Sequence, residues 1–281
     1  MLHVRWRALV LLAPLAALLA APLEARDPPP RLRVLQWNVG TIDPRGLRLP
    51  DGAIPQVVET IAQAAPDVVV LQEVESAAQV SRLRRDLAAR GLVYEARLLV
   101  AEATSPDGLI VHLVRRAHAR KTFRTSTGYA AQAVDVGGVW VVGIHAPAAP
   151  GSQARATFFD EVLAWTAREL RGPVVLAGDF NLGPHGGAGT AAVLPWLRKV
   201  DQATYARLAR AFPVRTTEGP TTSYRLHLDH VMGRNVRLVR HEVLRGRRRG
   251  LMDHDPLLAD LRIGAASAVR GLAHAVTATT R

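Results

Sequence analysis

Pro173-Val174-Val175-Leu176-Ala177-Gly178-Asp179-Phe180-Asn181 is an apolar run that ends in a carboxylate and a carboxamide two positions apart. Four consecutive apolar residues read as a strand covered on both faces. The two-residue repeat of a strand places Asp179 and Asn181 on one side of its end and turns Phe180 back into the protein. A buried strand that delivers two convergent polar groups has the geometry of an active site on an α/β scaffold.

Working outward, the same pattern recurs. Val34-Leu35-Gln36-Trp37-Asn38 finishes in Asn38, Val69-Val70-Leu71-Gln72-Glu73 in Glu73, and Val141-Val142-Gly143-Ile144-His145 in His145. Leu226-His227-Leu228-Asp229-His230 carries Asp229, and Asp253-His254-Asp255 directly precedes the last apolar run. One Asn or Asp at a strand end is an ordinary turn former, and one His an ordinary structural residue. Recurrence at six strand ends argues for a shared site. Its carboxylates (Glu73, Asp179, Asp229, Asp253), amides (Asn38, Asn181) and imidazoles (His145, His254) come with no cysteine anywhere in the chain. Hard oxygen ligands suit Mg²⁺, Mn²⁺ or Ca²⁺ better than zinc. A carboxylate beside a histidine suits a base whose tautomer is held by an acid. Metal, water-activating groups and cationic donors together match in-line attack on a phosphate ester.

The expected strands lie at residues 32–39, 68–74, 94–100, 109–115, 121–126, 130–136, 139–146, 173–180, 227–232, 236–244 and 256–263. Helices are expected at 54–65, stopped by Pro66, at 76–90 between an N-cap Ser76 and a C-terminal Gly91, at 152–170, and at 188–212 with an interruption at Pro195. Gly137-Gly138 marks a tight hairpin. Strands outnumber helices, which points to two packed sheets covered by helices rather than one doubly wound sheet. No glycine-rich phosphate loop opens a helix, which argues against a Rossmann or P-loop nucleotide site.

With 281 residues and 48% hydrophobic content, the chain can build one large core, here placed at residues 32–264. No internal repeat is visible. The absence of cysteine removes disulfides, Cys-based zinc sites and thiol nucleophiles. Residues 1–25 read as a signal peptide: His3, Arg5 and Arg7 precede an apolar stretch at 8–21. That stretch is short of the ~20 residues of a membrane span. Ala21 and Ala25 are the candidate cleavage positions, each with Leu three places from the cut, so an uncleaved anchor is the alternative. The protein is accordingly expected to be exported, periplasmic or secreted, with membrane contact only if the N-terminal segment is retained. Residues 26–31 form a Pro-rich linker, and 265–281 an Ala/Thr-rich, loosely attached tail. The formal charge of +12 favours polyanions, although Lys121 and Lys199 are the sole lysines and an Arg-rich, Ala-rich bias accounts for part of it.

The ordered set Trp37-Asn38, Leu71-Gln72-Glu73-Val74, Ile144-His145, Gly178-Asp179-Phe180-Asn181, Leu228-Asp229-His230-Val231 and Asp253-His254-Asp255-Pro256-Leu257 resembles the endonuclease/exonuclease/phosphatase superfamily. That superfamily includes DNase I-like nucleases, apurinic endonucleases, neutral sphingomyelinases and inositol-polyphosphate 5-phosphatases. The resemblance implies a four-layered α/β/β/α sandwich of two mixed sheets flanked by helices, with the site where the strand ends of both sheets converge. It implies that Glu73 is the principal metal ligand, helped by Asn38 and Asp253, with Mg²⁺ as the favoured ion. Asp179 would orient or activate water, Asn181 would bind the phosphate, and His254, buttressed by Asp229, would be the base or the stabiliser of phosphate charge. His145 would protonate the leaving oxygen or bind phosphate. Which of Asp179 and His254 takes the proton stays open.

There are departures from the pattern. The central strand reads Asp107-Gly108-Leu109-Ile110-Val111-His112-Leu113-Val114-Arg115, with Asp107 near where several nuclease relatives carry a substrate-contacting tyrosine. His112 is expected to face solvent or a neighbouring strand, and His227 and His230 to be supporting or structural residues. Arg245-Gly246-Arg247-Arg248-Arg249-Gly250 precedes Asp253-His254, so Arg247 and Arg248 are candidate phosphate-backbone contacts. The resulting expectation is a monomeric, metal-dependent phosphodiesterase, endonuclease-like, with nucleic acid as the favoured substrate. The alternatives are a sphingomyelinase or phospholipase C-like activity, an inositol-phosphate phosphatase, and a non-catalytic binding relative.

Overall fold

β1 (Arg31–Asn38) and β2 (Val68–Val74) are parallel neighbours at the centre of the first sheet, and β2 is buried along its whole length. The computed structural model describes residues 31–41, 48–101, 108–148, 152–187, 195–216, 219–247 and 251–264, without the side chains of 186–187 and 195–197. The expected signal peptide, most of the linker, the tail, the start of the helix at 188, Asp107 and Arg248 lie outside these residues.

The connection from β1 to β2 carries α1 (Ile54–Ala64), which ends at Ala65 in a left-handed conformation just before Pro66. α2 (Ala77–Ala88) follows β2; Ser76 caps it by accepting from the Gln79 amide. Gly91, at φ 80°, lets the Leu92 amide return to the Leu87 carbonyl at 3.0 Å and closes the helix. Then come β3 (Glu95–Val100), β4 (Leu109–Val114), β5 (Ala119–Arg124), β6 (Ala130–Val136) and β7 (Val139–His145). Gly137 and Gly138, at φ 62° and 85°, make the expected tight turn between β6 and β7. α3 (Ser152–Glu169) leads into β8 (Val174–Asp179), followed by the two-residue strands β9 (Leu182–Gly183) and β10 (Gly186–Gly187). α4 (Pro195–Ala211), β11 (Val214–Arg215), β12 (Asp229–Arg234), β13 (Val236–Val243) and β14 (Leu257–Ile263) complete the described chain.

The strands form two mixed six-stranded sheets, ordered β13-β14-β1-β2-β4-β3 and β11-β12-β8-β7-β6-β5. Alternation along each strand decides the layers. Val34, Val68, Val70 and Val114 of the first sheet face Val134, Val141, Val175 and Val231 of the second, forming the inter-sheet core. Leu35, Trp37, Val69 and Leu71 point outward onto Val57, Ile61 and Leu83 of the first helical layer. Ile144, Leu176 and Met232 pack against Phe158, Phe159, Val162 and Leu208 of the second. The order of layers is therefore helix, sheet, sheet, helix, as expected. The two helices of the second layer are tied by a buried ion pair, Arg155 Nη2 to Asp201 Oδ2 at 3.0 Å.

Two expectations need correction. The strand carrying Asp229 starts two residues later than 227, because Thr221 Oγ1 accepts from the amides of both Leu228 and Asp229 at 3.2 Å and holds the preceding loop. His112 does not face solvent. It is wholly buried between the sheets, its Nδ1 2.9 Å from Gln132 Nε2 and its ring against Gly143.

Candidate active site

Parallel neighbours end together, and both sheets use this. In the first sheet Asn38 is paired with Gln72, so Glu73 emerges one residue beyond it. In the second, His145 is in register with Asp179, and antiparallel β12 begins with Asp229 opposite Asp179. His254 arrives on the loop before β14. Its carbonyl accepts from Trp37 Nε1 at 3.0 Å, and it forms a bridge with Thr222. Four strand C-termini, one strand N-terminus and one loop thus deliver polar groups to a single edge of the sandwich.

The groups meet through short contacts. Asn38 Nδ2 donates to Glu73 Oε1 at 2.8 Å and to Asp179 Oδ2 at 3.1 Å, joining the two sheets. His145 Nε2 lies 3.5 Å from Glu73 Oε1 and 3.8 Å from Asp179 Oδ2. His254 Nδ1 donates to Asp229 Oδ2 at 2.7 Å, and its Nε2 lies 3.8 Å from Asp179 Oδ2 and 3.9 Å from Asp253 Oδ1. Asp179 Oδ1 accepts from the Asn181 amide at 2.8 Å, while Asn181 Nδ2 donates to the Ala146 carbonyl at 2.9 Å. Gln36 Nε2 spans the sheets to Asp229 Oδ1 at 2.9 Å and also donates to Gln72 Oε1.

Backbone strain concentrates here. Glu73 and Asn181 both adopt left-handed conformations, at φ 61° and 49°. Glu73 sits in an irregularity of the β2–β4 pairing, between Leu71 and Val74, which re-aims its side chain out of the ladder. Gly40 makes room for it: a Cβ there would stand 1.6 Å from Glu73 Oε2.

Charge in this pocket is uneven. Burial pushes the Glu73 carboxyl up to about 8, against the Asn38 hydrogen bond and His254 and with the help of the Asp179 and Asp253 charges. Burial likewise raises Asp179 and Asp253 above the usual carboxylate range, opposed by His254. Asp229 is held low: burial works against it, but the His254 charge and hydrogen bonds from His254, Thr221 and Gln36 prevail. Burial also opposes the His254 imidazolium, yet Asp229 and Asp179 outweigh it and push the group up to about 10. Among the described residues the cluster thus gathers four carboxylates around His254 and His145. This excess of oxygen donors and negative charge fits a hard divalent cation.

All eight strand-end residues singled out from sequence (Asn38, Glu73, His145, Asp179, Asn181, Asp229, Asp253 and His254) are joined by these contacts. Ligand atoms of Asp179, Asp229 and His254 lie within 4.8 Å of one another, close enough to hold a metal. That trio differs from the Glu73, Asn38 and Asp253 set expected from sequence. The His254–Asp229 and Gln36–Asp229 bonds already engage three atoms of the trio, both Asp229 oxygens and His254 Nδ1, whereas the Asn38 bond engages Glu73 through Oε1. Arg247 lies in the turn after β13, without a contact to the cluster. His230 is packed among Phe180, Tyr205 and His227, and its Nε2 meets the Leu182 carbonyl at 2.8 Å; this is a structural role.

Four contributors were not singled out. Tyr224, 42% exposed, places its hydroxyl 3.5 Å from His254 Nε2 and its ring edge-on to the imidazole. Burial and the surrounding carboxylates raise its pKa, so it stays a neutral donor. Gln36, Gln72 and Thr221 hold the network together. The glutamines had a signal, a polar residue inside an apolar run, whereas Tyr224 and Thr221 lie in a loop whose path no periodicity reports.

A sandwich of two sheets whose strand ends share buried carboxylates and imidazoles defines a hydrolase of phosphate-ester type. A profile of the Endonuclease/Exonuclease/phosphatase family matches residues 35–252, and the chain belongs to that family. Its activity is therefore that of a phosphoric ester hydrolase. Among curated proteins, none matches the chain in sequence. Solved structures share the fold. An endonuclease/exonuclease/phosphatase from Beutenbergia cavernae DSM 12333 is 23% identical with TM-score 0.65, over 84% of this chain and 72% of that one. The human Nocturnin catalytic domain with bound sulfate is 17% identical with TM-score 0.57, over 84% and 96%. ANGEL2, a 2′,3′-cyclic phosphatase in complex with adenosine-2′,3′-vanadate, is 14% identical with TM-score 0.59, over 83% and 96%.

Proposed function

We propose that the protein is an exported, metal-dependent phosphodiesterase, endonuclease-like, acting on nucleic acid. The observation that carries this is the convergence on Asp179 Oδ2, at the end of the second sheet, of the Asn38 amide at 3.1 Å and His254 Nε2 at 3.8 Å, both brought by the first sheet. Glu73, with Asn38 and Asp253, would hold the cation, Mg²⁺ in the first instance. When bound, it supplies Lewis-acid polarisation of a phosphate oxygen and neutralises developing charge.

The protein's own groups divide the remaining work. Asp179, with its carboxyl raised by burial, orients the attacking water and takes its proton. His254 is kept cationic by Asp229 and stabilises the charge that gathers on the phosphate oxygens. Asn181 directs its remaining amide hydrogen toward the phosphate, and His145 delivers a proton to the leaving oxygen.

Nucleic acid is favoured by the wall beside His254. The Ser223 amide donates to the Asp253 carbonyl at 2.7 Å, and Arg245 Nη1 donates to the Pro220 carbonyl at 3.5 Å, so the segment with exposed Arg225 and the loop carrying Arg245 and Arg247 meet on this side. Two neighbours in fold, one a 2′,3′-cyclic phosphatase holding an adenosine vanadate and one holding sulfate, are consistent with an anionic phosphate-like group at this edge. The test is purified protein with plasmid, sphingomyelin and inositol phosphates, each with Mg²⁺ and with EDTA. EDTA-sensitive cleavage of plasmid is expected, and Asp179→Asn or His254→Ala should abolish it while leaving the folded spectrum intact. Hydrolysis of sphingomyelin or inositol phosphates instead would overturn the nucleic-acid assignment. Full activity in either variant would overturn the division of roles.

A further inference from the structure

At the end of the first sheet remote from the active site, cross-strand register places three arginines side by side. Arg237 is directly opposite Arg262, and Arg262 directly opposite Arg31, across β13, β14 and β1. Their neighbours Leu32, Val236, Leu261 and Ile263 turn into the inter-sheet core, so the arginines stand on the outer face. Like charges directly opposed in a sheet are destabilising, and none of the three is paired with a carboxylate among the described residues. The acids of the adjoining rows are taken: Asp260 by Arg33 at 2.6 Å, and Glu242 by Arg240. Arg262 Nε is buried without a hydrogen-bond partner. A shallow, open depression of about 330 Å³ lies beside the row, lined by Asn235, Val236, Arg237, Arg262, Ile263 and Gly264.

We infer that this arginine row is a docking surface for the phosphate headgroups of an anionic membrane. Charge complementarity asks for an anion, and the course of the chain says which. Arg31 opens β1 directly after Pro28-Pro29-Pro30, with nine residues separating it from the apolar stretch at 8–21, so with the N-terminal segment retained the row sits close to where that segment would leave the membrane. Asn38 is at the other end of the same strand, about 23 Å away at ~3.3 Å per residue. The cleft then opens away from the bilayer and stays accessible to substrate. This goes beyond the hydrolytic function and does not depend on it.

The test uses the full chain and vesicles of phosphatidylcholine, with and without phosphatidylglycerol. Comparing the ratio of the two partition constants between wild type and variant cancels whatever the N-terminal segment contributes, its arginines included. Three arginines at an anionic surface should make that ratio on the order of 100-fold larger for the wild type than for a variant carrying Arg31→Gln, Arg237→Gln and Arg262→Gln. Phenylglyoxal labelling of the three arginines should fall severalfold on anionic vesicles and recover in high salt, while Arg90 and Arg120 label equally in both. The variant should keep its hydrolytic rate and have a thermal midpoint no lower than that of the wild type, since the opposed like charges are gone, which shows that it is folded. An equal ratio in wild type and variant, or unchanged labelling, overturns the inference. So does protection of the row by plasmid DNA as strong as that by anionic vesicles, which would make it a nucleic-acid surface.

Discussion

Cation binding should release a proton from Glu73, and the size of the effect follows from its surroundings. The side chain sits in a residue only 8% exposed, and its carboxyl is pushed up to about 8. At pH 7 it is therefore ~90% protonated in the metal-free protein. A divalent cation binds the carboxylate, so each ion displaces that proton. Affinity should rise ~10-fold per pH unit from about 5 to about 8 and then level off. Stability of the metal-free protein should move the opposite way. The folded pKa lies above the ordinary 4.5, so the contribution is fully present below 4.5 and is lost as pH rises through 8. A rise of that size corresponds to ~5 kcal/mol at most. Calorimetric titration with MgCl₂ or MnCl₂, in buffers of different ionisation enthalpy, reads the proton count directly. Glu73→Gln should bind more weakly and lose about one proton from the count. Affinity that is independent of pH below 8, or a Gln variant with the wild-type slope, would refute the reasoning.

Other perturbations have equally definite outcomes. Asp229→Asn removes the acceptor 2.7 Å from His254 Nδ1, so kcat should fall ~10²–10⁴-fold, and the alkaline limb, set by a group near 10, should move toward neutrality in the pH–rate profile. Burial holds His112 down at about 3, so the unfolded chain takes its proton first as pH falls below 6.5. Between pH 7.5 and 4.5 this group alone should cost ~3 kcal/mol, read in denaturant unfolding as the difference in acid sensitivity between wild type and His112→Gln; an unchanged acid sensitivity in the variant would count against it. Gly40→Ala drives a methyl into Glu73 Oε2 and should weaken cation binding by ~10-fold or more, measured by the same calorimetry. Tyr224→Phe should lower kcat by ~10-fold with KM little changed, because the hydroxyl beside His254 Nε2 is lost while the ring stays; wild-type kinetics would rule out a role for the phenol.

Much of the architecture is legible in the chain because the strands are long, apolar and punctuated. Val68–Val74 and Ala130–Val136 appear with the very bounds that hydrophobic runs and flanking turn residues indicate. The two-residue strands at Leu182–Gly183, Gly186–Gly187 and Val214–Arg215 carry no such pattern, since two residues have no period. His112 looks like a polar interruption in β4, and its burial is decided by Gln132 and Gly143 of the opposite sheet.

The strand end at Asp179-Phe180-Asn181 shows the division most clearly. Sequence alone determined that it is buried and that five other strand ends carry polar groups in the same way, because apolar runs and their punctuation are local properties. The strand stops at Asp179 and Asn181 is left-handed, so alternation does not reach it. Tertiary structure decided what those groups do to one another. Asn38 reaches Asp179 from the other sheet, His254 is charged by Asp229, and Glu73 is held protonated by burial and neighbouring carboxylates. Proton affinity depends on desolvation and on charges brought within a few ångströms, and those distances exist only once the two sheets have packed.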